Sequence, residues 1–420
     1  MKRLLIISPY FPPTNAADMH RIRMSLPYFK EFGYEAEVVT VDPFYSDLSK
    51  DELLLKTVPA DILIHYVKAF DKAITSKFGF GNIALRSMYY YRKKVNSLLR
   101  KKKYDLIYFS TTQFPICILG AYWKKKFMIP YAIDMQDPWN SNYYKDKPKE
   151  QQPKKYWFSY RLNKFLEPIA IKNVSGLISV SENYIEDLKD RYPEIRHVPS
   201  ATIPFGAFEP DLKIAAANNS FKSLLQPGFK NIVYVGRGGM DMHKAIAPLF
   251  ESLENALKLN YQLFSNLKFC FIGTSYAPAG QGSATITPLA KHYNVEKQVI
   301  ELTDRISYYH TLITLQQADA LFIPGSDDPK YTASKIYPYL LAQKPLLTIF
   351  NKSSAAIPVL HEYGVRHNYS YDLYNLQHYI YDFLNEVATD VKRVNYNLAA
   401  FKKYSAQMMT KQQSDLLNHI

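Results

Sequence analysis

Residues 231–239 read Asn-Ile-Val-Tyr-Val-Gly-Arg-Gly-Gly. An apolar run of strand length stops at a glycine-rich turn, and His243–Leu259 beyond it carries apolar residues at helical spacing. Strand, glycine turn and helix in that order open a Rossmann-like unit. The turn is not a P-loop, because the GxxxxGK[ST] spacing is absent. Gly236, Gly238 and Gly239 let the backbone approach a ligand, and the helix that follows favours a phosphate at its start. Arg237 and Lys244 add charge suited to a diphosphate, and His243 stands beside them.

The same alternation extends in both directions. Toward the C-terminus, Lys268–Gly273, Val299–Leu302, Ala320–Pro324 and Leu346–Phe350 read as strands, with helices over Tyr308–Gln317 and Lys335–Ala342. Toward the N-terminus, the expected strands are Arg3–Ser8, Ala36–Val41, Asp61–His65, Asp105–Ser110, Pro130–Asp134 and Gly176–Val180. Helices are expected over His20–Phe32, Leu85–Lys103 and Phe158–Lys172. Two successive sets of strands with helical crossovers predict two parallel sheets. Pro199, Pro204, Gly206 and Pro210 interrupt all periodicity between them. The reading is therefore an α/β chain with domains at 1–205 and 206–395 and a terminal helix over 396–420, with no strand after Tyr369.

Composition narrows the function classes. Cys117 and Cys270 are the only two cysteines, which excludes a disulfide scaffold or a cysteine zinc module. The 18 residues 106–123 carry no charge, but Ser110-Thr111-Thr112-Gln113 and Pro115 break them into a strand, a turn and a helix start. The apolar stretch after Met-Lys-Arg is too short for a signal peptide, so a soluble, cytoplasmic protein is expected.

The net charge of +14 is concentrated in residues 1–205, where 32 Lys/Arg face 21 Asp/Glu. The excess sits in Arg92–Lys94, Arg100–Lys103, Lys124–Lys126 and the group Lys145, Lys147, Lys149, Lys154 and Lys155. Solvated helix ends account for such clusters equally well. No motif points to nucleic acid. Tyr89–Tyr91 and Tyr156–Phe158 beside the charges favour an anionic membrane surface at the cytoplasmic face.

Three further turns follow predicted strands, where open sheets bind ligands. Ser8–Ala17 is stiffened by three prolines and contains Tyr10, Pro13 and Asn15; of Arg21 and Arg23 beyond it, at most one can face a ligand. Asp134-Met135-Gln136-Asp137-Pro138-Trp139 combines two carboxylates with an indole, a set suited to hydroxyl-rich substrates. An N-cap by Asp137 with Pro138 at the first helical position is compatible with that role. Pro324–Tyr337 contains Asp327, Asp328, Ser334 and Lys335; the acid pair lacks further metal ligands and reads as a solvated turn, while Ser334 can cap a helix or meet a phosphate. Histidines are scattered, with no HExxH or paired metal spacing, so no metal is expected, and no GxSxG nucleophile elbow is present.

Taken in order, these elements resemble GT-B glycosyltransferases of the retaining family 4-like group. Tyr10-Phe11-Pro12-Pro13, Gly33 with Glu37–Thr40, Asp134–Trp139, Ile203-Pro204-Phe205-Gly206, Gly236-Arg237 and Ser334–Leu340 carry the likeness. The departures are Asn15-Ala16 in place of Gly-Gly, Gln136 in place of Arg, and Lys330 and Pro338 near the positions of a glutamate pair. Arg237 and Lys244 also stand wider apart than usual.

The resemblance implies two Rossmann-like domains facing a cleft. The nucleoside diphosphate sugar would lie on Gly236, Gly238, Gly239, Asp327, Asp328, Ser334 and Lys335, with Arg237, Lys244 and Asp137 catalytic. A glycan or lipid-linked acceptor would meet Tyr10, Pro13, Asn15, Arg21 and Trp139. It further implies transfer with retention, without metal or other cofactor. A nucleotide-sugar epimerase or a non-catalytic glycan-assembly scaffold are the alternatives.

Overall fold

The computed structural model describes residues 1–140, 145, 149, 152, 155–327, 335–391 and 394–420. It divides into two compact units, Met1–Gly206 with Tyr404–Ile420, and Ala207–Lys403.

The first unit is built on a parallel sheet. Its strands are β1 (Lys2–Ile7), β2 (Tyr34–Val41), β3 (Leu63–Val67), β4 (Leu106–Ser110), β5 (Tyr131–Met135), β6 (Gly176–Ser179) and β7 (Ser200–Thr202). They lie in the order β3-β2-β1-β4-β5-β6-β7. Leu4–Ile7 is wholly buried, because helices cover both faces of the sheet. One face carries Leu5, Ile7, Val39, Ile107, Phe109 and Ile133 against the helices Ile83–Lys101, Ile118–Phe127 and Tyr156–Ile171. The uncharged stretch 106–123 is thus a strand and part of a helix, and among the described residues no helix is long and apolar enough to cross a membrane.

The opposite face is closed by Met19–Ser25 and by Ala406–Asn418. The latter helix is fastened by Gln413, which accepts from the Tyr108 hydroxyl (3.0 Å) and donates to Ser25 Oγ (2.9 Å). Gly206 makes a close approach possible, since a Cβ there would lie 2.7 Å from the Ala406 Cα.

The second unit has β8 (Lys230–Val235), β9 (Leu267–Ile272), β10 (Val299–Leu302), β11 (Ala320–Pro324), β12 (Leu346–Phe350) and β13 (His367–Ser370). Their order is β10-β9-β8-β11-β12-β13, again parallel.

The structure amends the sequence reading in four places. β7 and β13 are short and polar (Ser-Ala-Thr and His-Asn-Tyr-Ser), so hydrophobic patterning does not announce them. The first helix ends at Ser25 rather than Phe32, because Pro27 cannot donate the next helical hydrogen bond and the chain continues in turns. Residues 396–420 are not one helix: Leu398–Phe401 and a 3₁₀ turn at Lys402–Tyr404 precede Ala406–Asn418, whose N-terminus is capped by Ser405. No helix starts at Pro138 among the described residues; 136, 137, 139 and 140 form bends.

Candidate functional site

In each sheet the strand order reverses direction at one point, between β1 and β4 in the first unit and between β8 and β11 in the second. Loops leaving adjacent strands diverge there and open a crevice at the carboxyl edge.

In the second unit the crevice is bordered by Gly236–Gly239 after β8 and by Gly325–Asp327 after β11. Arg237 forms a two-pronged hydrogen bond with Asp241, Nη1 to Oδ1 at 2.7 Å and Nη2 to Oδ2 at 2.6 Å. Ser326 donates to Asp241 Oδ2 at 2.6 Å, and the Asp327 amide donates to the Asp241 carbonyl at 2.8 Å. Asp241 therefore ties the two loops together. Burial would raise its pKa, but the hydrogen bonds from Arg237 and Ser326 outweigh that and hold it below the usual value.

Lys335 enters the same crevice. Its Nζ donates to the Tyr234 hydroxyl at 2.9 Å, and that hydroxyl donates to the Arg237 carbonyl at 2.9 Å. Gly236 makes room for the amine: a Cβ there would overlap Lys335 Nζ and lie 2.7 Å from Tyr234 Oη. Burial, then the charges of Arg237 and Arg305, push the pKa of Lys335 down to about 7. An anion bound beside these cations would relieve their repulsion. His243 heads the helix that follows, and its Nε2 is buried without a hydrogen-bond partner among the described residues.

Other expected donor contacts fall differently. The Gly236 and Gly238 amides donate to the carbonyls of Ile272 and Thr274, both at 2.9 Å, so the fold already occupies them. Lys244 is exposed and engaged elsewhere, 3.6 Å from Asp372 and 4.2 Å from the centre of the Tyr371 ring. A Cβ on Gly239 would collide with Asp241, so that glycine serves the Arg237–Asp241 pair. Asp327 is exposed; Asp328 and Ser334 lie outside the described residues.

In the first unit, Arg21 does not face a ligand. It is sealed from solvent, 2.8 Å from the equally buried Asp134, and donates to the carbonyls of Ile203 (2.7 Å) and Pro204 (3.2 Å). Arg23 is likewise buried, on Thr57 and His20. The proline-rich turn is pinned by the Asn15 amide on the Ser49 carbonyl and the Asp51 amide on that of Pro13, both at 2.8 Å. Tyr10 beside it is half-buried, and burial followed by the charge of Asp18 pushes its hydroxyl up to about 12.

Asp18 is a carboxylate that sequence reading passed over. It accepts from the Thr111 hydroxyl (2.9 Å) and from the amide (3.0 Å) and hydroxyl (3.2 Å) of Thr112, so it bridges the β1 and β4 loops. Desolvation raises its pKa.

A cavity of about 360 Å³ lies beside this edge, lined by Asn82, Thr112, Asp137, Trp139, Phe158 and Asn163 among others. Asp137 is itself exposed, and nearby protein and then the charge of Asp18 raise its pKa. Trp139 is buried, stacked on Phe114 with ring centres 5.4 Å apart, and donates to Asn163 Oδ1 at 3.2 Å. It forms cavity wall rather than a bare platform.

Asp241 stands four residues after Arg237, but the turn between them is not helical, so their pairing could not be read from helical spacing. Asp18 had no signal in the sequence either. Among the described residues, no three His, Cys, Asp or Glu side chains converge as a metal site requires.

No family model and no curated protein matches the sequence. Solved structures do match. The N-terminal domain of Candida albicans trehalose-6-phosphate phosphatase is 14% identical with a TM-score of 0.62, covering 100% of this chain and 97% of that one. HepE from Anabaena, in complex with UDP-glucose, is 13% identical with a TM-score of 0.57 over 100% of both chains. UDP-GlcNAc 2-epimerase from Methanocaldococcus jannaschii is 13% identical with a TM-score of 0.53 over 100% of both. With two Rossmann-like units, this chain has the GT-B fold.

Proposed function

We propose that the chain is a glycosyltransferase of the retaining, family 4-like kind. It moves a sugar from a nucleoside diphosphate sugar to a glycan or lipid-linked acceptor, in cell-surface polysaccharide synthesis at the cytoplasmic face of the membrane. The observation that carries this reading is the cation pair at the β8/β11 crevice, Arg237 held by Asp241 and Lys335 held by Tyr234. The likeness to HepE, which binds UDP-glucose, supports a nucleotide sugar as donor.

The chemical difficulty is the departing nucleoside diphosphate, which gains negative charge as the glycosidic bond breaks. A guanidinium and an ammonium already in position stabilise that charge more in the transition state than in the ground state. Lys335, half-neutral near pH 7, becomes fully protonated as the phosphates approach. Two protein cations take the role a divalent metal would otherwise have, so the reaction is proposed to run without one. In the first unit, the cavity beside Asp137 is the proposed acceptor site, and the raised pKa of Asp137 suits proton traffic with an acceptor hydroxyl.

Arg237→Ala should lower turnover by ~10²-fold or more, the loss typical of a charge-stabilising donor. Transfer measured with radiolabelled UDP-sugars and GDP-sugars checks this, and wild-type turnover in the variant would remove the assignment. The shared fold with an epimerase favours one second reading. An epimerase converts the donor with no acceptor present, whereas a scaffold neither binds nor converts it.

A further inference from the structure

The three helices on one face of the first sheet share an unusual outer surface. Ile83–Lys101 and Ile118–Phe127 contain no acidic residue, and the single one in Tyr156–Ile171, Glu167, is buried on Arg191. Arg92, Lys93, Arg100, Lys125, Arg161 and Lys164 are exposed on this layer. The field at the surface is therefore positive, with no acid on these helices to neutralise it.

Large apolar side chains stand bare among these charges. On the Tyr156–Ile171 helix, Trp157 is 64% exposed and Phe165 67% exposed. Trp157, Arg161, Phe165 and Ile169 recur at four-residue intervals, with Lys164 beside them, and so occupy one stripe. Next to its N-terminus runs the segment 72–80, where Ile74 is 61% and Phe78 70% exposed. The two are joined by Phe80 packed edge-on to Phe158 (6.1 Å) and by Lys155 Nζ donating to the Ser76 carbonyl (3.1 Å).

We propose that this surface docks on an anionic lipid bilayer, with Trp157, Phe165, Phe78 and Ile74 entering the interface and the lysines and arginines meeting headgroups. An aromatic and apolar stripe flanked by cations is the chemistry of an interfacial helix. Charge complementarity selects the occupant. A second copy of this chain would set one positive face against another, and a nucleic acid would leave Ile74 and its neighbours without apolar partners. The inference does not depend on sugar transfer, because its readout is binding.

The chain has three tryptophans, of which Trp123 and Trp139 are buried, so exposed-indole emission comes from Trp157. Vesicles of phosphatidylcholine with phosphatidylglycerol should float the protein at low salt, and the emission should shift to the blue. Pure phosphatidylcholine should do neither, and added salt should release the protein. Phe78→Ser/Phe165→Ser and Arg161→Glu/Lys164→Glu should each weaken binding about tenfold or more, the second through loss of attraction for headgroups. Both sites are solvent-exposed, so the melting temperature should not move, which separates lost docking from lost fold. Failure to float at low salt, an unshifted Trp157, or flotation of either variant equal to that of the wild type would overturn the proposal. Binding to heparin or single-stranded DNA that outcompetes the vesicles would do the same.

Discussion

Arg237 and Asp241 face one another through two parallel hydrogen bonds, 2.7 and 2.6 Å long, across the first turn after β8. This pairing makes the arginine a fixed group rather than a mobile one, and it sets a carboxylate beside the charge.

Replacing Asp241 with Asn should separate those two effects. The positive charge remains and loses its counter-ion, so calorimetry should show uridine diphosphate bound at least as tightly as before. Positioning suffers, and turnover should drop by about 10-fold to 10²-fold, as for a group displaced by about an ångström.

Lys335 gives a pH signature. Its pKa of about 7 in the folded chain, against 10.5 for a free lysine, means the unfolded chain holds more protons between those values. The penalty of burying the charge is therefore complete below pH 7 and fades as pH rises toward 10.5. Lys335→Met should gain most thermal stability over the wild type below pH 7, with the gain vanishing at alkaline pH. At pH 8, diphosphate binding should also take up protons, seen by calorimetry in buffers of different ionisation enthalpy, and Lys335→Met should abolish that uptake.

Gly236→Ala places a methyl group where Lys335 Nζ now rests. The amine must move, so affinity for the diphosphate should decline by about 10-fold, the scale of a weakened charge-assisted contact. Equilibrium binding of uridine diphosphate checks this.

Arg21 and Asp134 form a sealed pair in the first unit. Arg21→Leu strands a buried carboxylate and should cost about 3–5 kcal/mol in denaturant unfolding, whereas Arg21→Leu/Asp134→Leu should cost less. Equal losses would show that the pair contributes only packing.

Much of the fold was legible because apolar runs such as Leu4–Ile7 and Ile232–Val235 announce strands buried on both faces. β7 and β13 carry no such run and are specified by their neighbours in the sheet. At the candidate site, the glycine turn and Arg237 could be read from residue types, since the chemistry is local. The hydrogen bond of Ser326 to Asp241, and that of Lys335 to Tyr234, join residues 85 and 101 positions apart. Pairing across such distances is decided by strand order. Arg21 shows the opposite case, a residue with the right charge that the core requires for itself.

The helix Ala406–Asn418, which seals the sheet of β1–β7, leaves the ribosome only after all of residues 207–403 have emerged. At about 5–20 residues per second, that interval is roughly 10–40 s. Throughout it, the seats of Gln413 on Tyr108 and Ser25 stand empty and wet. A truncated chain ending near residue 206 would keep that flaw permanently, and should be prone to aggregation even though every strand of its sheet is present.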